Sequence, residues 1–138
     1  MLAAAKLGDV GAQLNVGNYY DDGKGVRRNP EAALYWYRRA YRRGYASAAN
    51  NIGVVWRNEK QPQRALAWFK RAVKLGDDEA NLEIGKHYLE NENEPQKALE
   101  HFQRVIPSEL VSEAGMETAT TLLAVAKAKL KTESRRKT

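Results

Sequence analysis

The chain has 138 residues and no cysteine. That absence excludes a disulfide framework, a thiolate metal site and a cysteine nucleophile. Histidine is nearly as scarce, with only His87 and His101, so a His-rich metal centre is excluded as well. No apolar run approaches the ~20 residues that span a bilayer. Met1 is not followed by the basic segment and apolar stretch of a secretory signal. The expectation is a soluble, cytoplasmic chain without redox chemistry, or a periplasmic one if a signal segment precedes it.

Acid is missing from the C-terminal end. From Lys127 to Thr138, six basic residues stand against Glu133 alone, and most of the net charge of +6 collects there. The region Lys24 to Arg43 has seven bases against Glu31, whereas Asp77 to Glu100 has eight acids against Lys86 and Lys97. Such segregation suggests protein partners or head-to-tail self-association through oppositely charged ends. It does not supply the continuous positive stripe of a duplex-binding surface, and it does not favour membrane binding.

What is present is a repeat. Leu7-Gly8-Asp9, Arg43-Gly44-Tyr45 and Leu75-Gly76-Asp77 are equivalent, with glycines 36 and 32 residues apart. The same steps separate Gly17, Gly53 and Gly85, each followed three residues later by Tyr20, Trp56 or Tyr88. Pro30, Pro62 and Pro95 come next, and then Ala33-Leu34, Ala65-Leu66 and Ala98-Leu99. Tyr37, Phe69 and Phe102 follow, and then Ala40, Ala72 and Val105. A register held through so many columns defines the fold.

Each unit reads as two helices. In the first, Ala12, Val16, Gly17 and Tyr20 form one stripe at helical spacing. Asp9, Ser47 and Asp78 can cap the helix starts by accepting a backbone N–H. The second helix begins at its proline, which suits a first helical position, and stops at Gly44 or Gly76 in a left-handed conformation. A glycine inside the first helix costs about 1 kcal/mol against alanine. That cost is explained if another helix crosses at Gly17, Gly53 and Gly85 too closely for a Cβ.

The first unit, Ala12-x4-Gly17-x2-Tyr20-x2-Gly23-x-Gly25-Val26-x3-Pro30-x2-Ala33-Leu34-x-Trp36-Tyr37-x2-Ala40-x3-Gly44, resembles a Sel-one-like repeat. That family is the longer-period relative of tetratricopeptide repeats. The second and third units lack about four loop residues, at Asn58 to Gln61 and Asn91 to Glu94, and match tetratricopeptide spacing instead. The resemblance implies an all-α fold, a right-handed α-solenoid of antiparallel helix pairs. Residues 1–8 then form the second helix of an incomplete repeat, whether trimmed or natural. Repeats follow at 9–44, 45–76 and 77–108, with a capping helix at 109–131 and a basic disordered tail at 132–138.

No enzymatic constellation emerges from the residues. His87 shares a column with Tyr19 and Val55, and His101 one with Trp36 and Trp68, so both are packing positions and no metal or cofactor is expected. No Gly-x-Ser-x-Gly elbow exists, and Gly23-Lys24-Gly25 is too short for a phosphate loop. Trp36, Trp56 and Trp68 sit in columns of large residues and read as core rather than as a nucleic-acid stacking platform. Arg38, Arg39, Arg42 and Arg43 fall on the outer side of a second helix.

In tetratricopeptide-type arrays the first helices line a concave groove, and the resemblance carries this to Leu14/Asn50/Leu82, Asn18/Val54/Lys86 and Asp21/Arg57/Leu89, with Asn51 beside them. Leu14 and Leu82 stand where a carboxylate clamp needs lysine, so the groove suits an extended segment or a helix. The expected function is a non-enzymatic scaffold or adaptor, of bacterial type, that binds a protein or peptide there. Two alternatives stay open. One is a regulatory or immunity-type subunit inhibiting a partner enzyme. The other is an electrostatic tether to nucleic acid or acidic membrane through the basic tail.

Overall fold

A computed structural model describes residues 2–23, 27–106 and 111–137. Among these the secondary structure is helical throughout: α1 (Leu2–Lys6), α2 (Val10–Asp22), α3 (Pro30–Arg42), α4 (Ala46–Asn58), α5 (Pro62–Lys74), α6 (Ala80–Glu90), α7 (Pro95–Val105) and α8 (Glu113–Lys137). They fall into two compact units, residues 1–75 and 76–138. The fold is the all-α solenoid of paired helices expected from the repeat.

In the first unit each helix packs on the next, from α1 through α5. Ala5, Ala12, Val16 and Trp36 form one buried cluster, and Ala33, Leu34, Tyr37, Ile52 and Val55 another. Gly17 and Gly53 mark the crossings. A Cβ added to Gly17 would fall 2.5 Å from Tyr37 Cε1. The aromatic of each second helix therefore occupies the space that the glycine of the first leaves open.

The second unit repeats the device, since a Cβ at Gly85 would collide with the Phe102 ring. Its core joins Leu82, Leu89, Ala98, Phe102 and Val105 to Val111, Ala119 and Ala126, so α8 seals the α6–α7 pair. This is a capping role, because an unpaired repeat leaves its apolar face open. The helix also continues through 132–137 to Lys137, where the sequence reading placed a disordered tail. Its alternation of Lys, Ala, Leu and Thr contains no helix breaker, and threonine hydroxyls such as Thr132 bond back to the preceding turn. Pro107 and Glu109, the expected stop and start of neighbouring elements, lie outside the described residues.

Caps divide between expected and not. Asp9 accepts from the Ala12 N–H at 2.8 Å. Ser47 lies inside α4, which follows Tyr45, and α6 follows Glu79 rather than Asp78; neither Tyr45 nor Glu79 makes a side-chain cap bond. Asn29 caps α3 instead, accepting from Ala32 N–H at 3.1 Å. Gly8, Gly44 and Gly76 all have positive φ, which lets the chain turn sharply after a second helix. The inner turns share a different closure. The residue before each proline, Asn29, Gln61 or Glu94, donates its N–H to the carbonyl of Tyr20, Trp56 or Tyr88. In the shorter turns Lys60 and Asn93 adopt positive φ to reach it.

Candidate protein-interaction surface

Seven of the expected groove residues lie in the first unit, on α2 and α4. Asn18 and Arg57 are exposed, while Leu14, Asp21, Asn50, Asn51 and Val54 are half-buried. Packing explains the difference. Leu14 leans on two clusters of the unit, the one around Ile52 and Val55 and the one around Val10, Ala40 and Ala48. Tyr20, Val55 and Trp56 in the last turns of these helices also face the core, and the exposed Asn18 and Arg57 stand on the side turned away from it.

The polar groups are held by specific partners. Asn18 Oδ1 accepts from the Tyr37 hydroxyl at 2.6 Å. With its oxygen engaged, Asn18 presents Nδ2 as a donor. The Arg57 guanidinium lies 5.7 Å from the Phe69 ring centroid, an attraction that limits its wandering. Asn50 Oδ1 is buried without a hydrogen-bond partner, leaving an acceptor unspent at the edge of the surface.

Asp21 belongs to a small ionic cluster. Arg28 donates from Nε to the Asp21 carbonyl at 3.0 Å and reaches Glu59 Oε1 from Nη1 at 3.1 Å. Its Nη2 is 3.7 Å from Asp21 Oδ1, too long for a hydrogen bond. Burial raises the Asp21 pKa above 3.8 despite the opposing charge of Arg28. Tyr37 is raised far above the usual phenol value, first by burial and then by Asp21 and Asp22. The phenol is therefore a neutral donor to Asn18 across the accessible pH range.

The other three expected residues lie in the second unit, and two of them are corrected. Leu82 and Leu89 are 5% and 4% exposed inside the core that α8 completes, so they cannot touch a ligand. The resemblance to tetratricopeptide-type arrays placed them in the groove by column; here α8 supplies apolar neighbours in the same core. Lys86 is half-buried, with Nζ 3.4 Å from Glu83 Oε1.

Tyr37 and Arg28 went unremarked as polar partners in the sequence. Tyr37 had a legible signal, a hydroxyl in a column that otherwise holds Phe69 and Phe102. Arg28 had none. The histidines are packed, as their columns suggest: His87 is buried beside Tyr88, and His101 stacks on Tyr88 with Nδ1 2.9 Å from Asn81 Oδ1. Among the described residues no cluster of three or more ligating side chains could hold a metal, and no helix is long and apolar enough to cross a membrane.

The fold and this surface define the class, a tetratricopeptide-like helical repeat protein. Residues 10–45 and 46–77 each match the Sel1 repeat, and the chain is a Sel1-like repeat protein. A Sel1 repeat protein from Oxalobacter formigenes superposes with a TM-score of 0.72 at 30% identity, over 94% of this chain and 52% of that one. The protective antigen c5321 of uropathogenic Escherichia coli, which has an SLR fold, gives 0.64 at 21% identity over 91% of this chain and 35% of that one. MamA gives 0.61 at 18% identity, over 97% of this chain and 85% of its own. The chain thus spans about half the length of the Oxalobacter relative and a third of the Escherichia coli one. No curated protein matches the sequence. Sel1 repeat proteins are generally non-enzymatic scaffolds for protein–protein interaction.

Proposed function

We propose that this chain is a scaffold whose first unit binds a peptide or protein segment along the exposed sides of α2 and α4. Asn18, Asn51, Val54 and Arg57 are the contacts. The observation that carries this reading is the Tyr37–Asn18 bond, which fixes an exposed amide with its donor end outward. Asn18 Nδ2 and the Arg57 guanidinium can then donate to the carbonyls of an extended chain, while Val54 supplies an apolar contact. Lys86 is a separate contact offered by α6.

A displayed library of random peptides, selected against the folded protein at high ionic strength, would yield a ligand independent of bulk charge. Titrating that peptide into the 15N-labelled chain should shift the amides of Asn18, Asn51, Val54 and Arg57. Arg57→Ala should weaken binding by about 1–3 kcal/mol if Arg57 is a central contact; Arg39→Ala should leave it unchanged. Shifts confined to α3 and α5 would refute the assignment.

A further inference from the structure

The outer sides of α3 and α5 carry positive charge with almost no acid to balance it. Helix α3 holds Arg38, Arg39 and Arg42 with Glu31 as its one acid, and α5 holds Arg64, Lys70, Arg71 and Lys74 with none. The pattern is in register between repeats, Arg38-Arg39-x2-Arg42 against Lys70-Arg71-x2-Lys74. Like charges four residues apart, as in Arg38 and Arg42, repel at a spacing where opposite charges would stabilise the helix. The helix dipole compensates cations in a last turn, which covers Arg39, Arg42, Arg71 and Lys74 but not Arg38 or Arg64.

Nor are these charges neutralised across the surface. Among the described residues, none of Arg38, Arg39, Arg42, Arg64, Arg71 and Lys74 pairs with a carboxylate. The second unit behaves differently, with Lys86 on Glu83 and Lys97 on Glu94. Aromatic rings hold the guanidinium groups instead. Arg71 lies 4.4 Å from the centroid of Trp68, and Arg39 5.3 Å from that of the equivalent Trp36. Arg39 Nη1 also donates to the Tyr35 hydroxyl at 3.2 Å. A guanidinium steadied by a ring keeps further N–H groups for a carboxylate, at a lower entropic cost than a free side chain.

We propose that this face is a second docking site, for an Asp/Glu-rich polypeptide segment, with carboxylates taken by Arg39 and Arg71 and flanked by Arg38, Arg42 and Lys74. It is separate from the α2–α4 surface and does not depend on it. Charge complementarity selects an acidic occupant, and the rings select polypeptide over nucleic acid. A single-strand site needs aromatic faces open to bases, whereas Trp36 is 6% exposed, Trp68 has Arg71 over it, and the exposed Tyr35 has Arg39 over its ring at 5.8 Å.

The test is fluorescence anisotropy of a labelled Glu/Ala peptide with the full chain at low salt, where such contacts are least screened. Saturable binding is expected. The Arg39→Gln/Arg71→Gln pair should weaken it about tenfold or more, with circular dichroism and melting unchanged. The α8 pair Lys129→Gln/Arg136→Gln should bind as the parent does. Should charge removal disturb folding, the milder Arg39→Lys/Arg71→Lys pair, which keeps charge but not the fork, should still weaken binding. The proposal is overturned by a peptide that fails to saturate, by a loss that tracks the α8 pair, or by duplex DNA or poly-U displacing the peptide more strongly than unlabelled peptide does.

Discussion

Gly53 lies directly beneath the ring of Phe69, so close that a Cβ on the glycine would stand 2.5 Å from Phe69 Cε1. Phe69 is itself 1% exposed and cannot swing away. The contact ties a backbone on α4 to a side chain on α5. It explains why glycine is kept in the middle of a helix.

Replacing Gly53 with leucine should destabilise the first unit by about 1–3 kcal/mol, the usual cost of overpacking. Gly53→Ala should cost less, and Phe69→Leu should recover part of that loss because the two positions share one space. Thermal unfolding of the three variants measures both effects. An unchanged midpoint in Gly53→Leu would contradict the crossing.

The caps make a paired prediction. Asn29→Ala removes the acceptor that serves Ala32 N–H and should cost about 0.5–2 kcal/mol. Ser47→Ala, inside α4 and without a capping bond, should be neutral or slightly stabilising through helix propensity. Equal losses from the two would show that neither reports a cap.

Asp21 gives a prediction in pH. Its folded pKa is raised above 3.8, by burial first. A raised carboxyl favours the protonated form in the folded state, so its contribution to stability is full below the unfolded pKa and is lost as pH rises through the folded one. As pH falls through this window, Asp21 therefore offsets part of the acid destabilisation caused by other groups. Asp21→Asn removes that offset, and its melting temperature should fall more steeply than the parent's on acidification. Carbon-detected NMR should place the Asp21 midpoint above 3.8, and a midpoint below it would contradict the burial argument.

Along α8 the two ends should differ. Ala126 is fully buried in the core of the second unit, so Ala126→Asp should unfold that unit by burying an unpaired charge. Deleting residues 132–138 should remove helical signal in proportion to length yet leave the melting midpoint nearly unchanged, because these exposed turns contribute little packing. A large drop in midpoint on deletion would mean that the last turns are part of the core.

The helix pairs were legible in the sequence because each rests on local chemistry repeated in register. Gly17, Gly53 and Gly85 announced the crossings, and Pro30, Pro62 and Pro95 marked the helix starts. Leu82 and Leu89 were misplaced because their burial depends on α8, which does not follow the repeat and so offers no column to align. The continuation of α8 to Lys137 was missed for a related reason. Its charge suggested a solvated tail, yet solvation and helicity are compatible when no residue breaks the helix. Ser47 shows that a residue type suited to capping does so only where it stands just before the helix, since α4 starts one residue earlier, at Ala46. At the site, Asn18 and Arg57 could be placed by column, but the Tyr37 hydroxyl that orients Asn18 belongs to the other helix of the pair.

The three glycine–ring contacts each join residues about twenty positions apart or fewer, Gly17 to Tyr37, Gly53 to Phe69 and Gly85 to Phe102. Closing such short spans carries little loop entropy, and chains dominated by local contacts fold quickly. During synthesis, then, a hairpin of helices can close as soon as its own aromatic has left the ribosome. The first unit need not wait for the second to be translated before its core is shut.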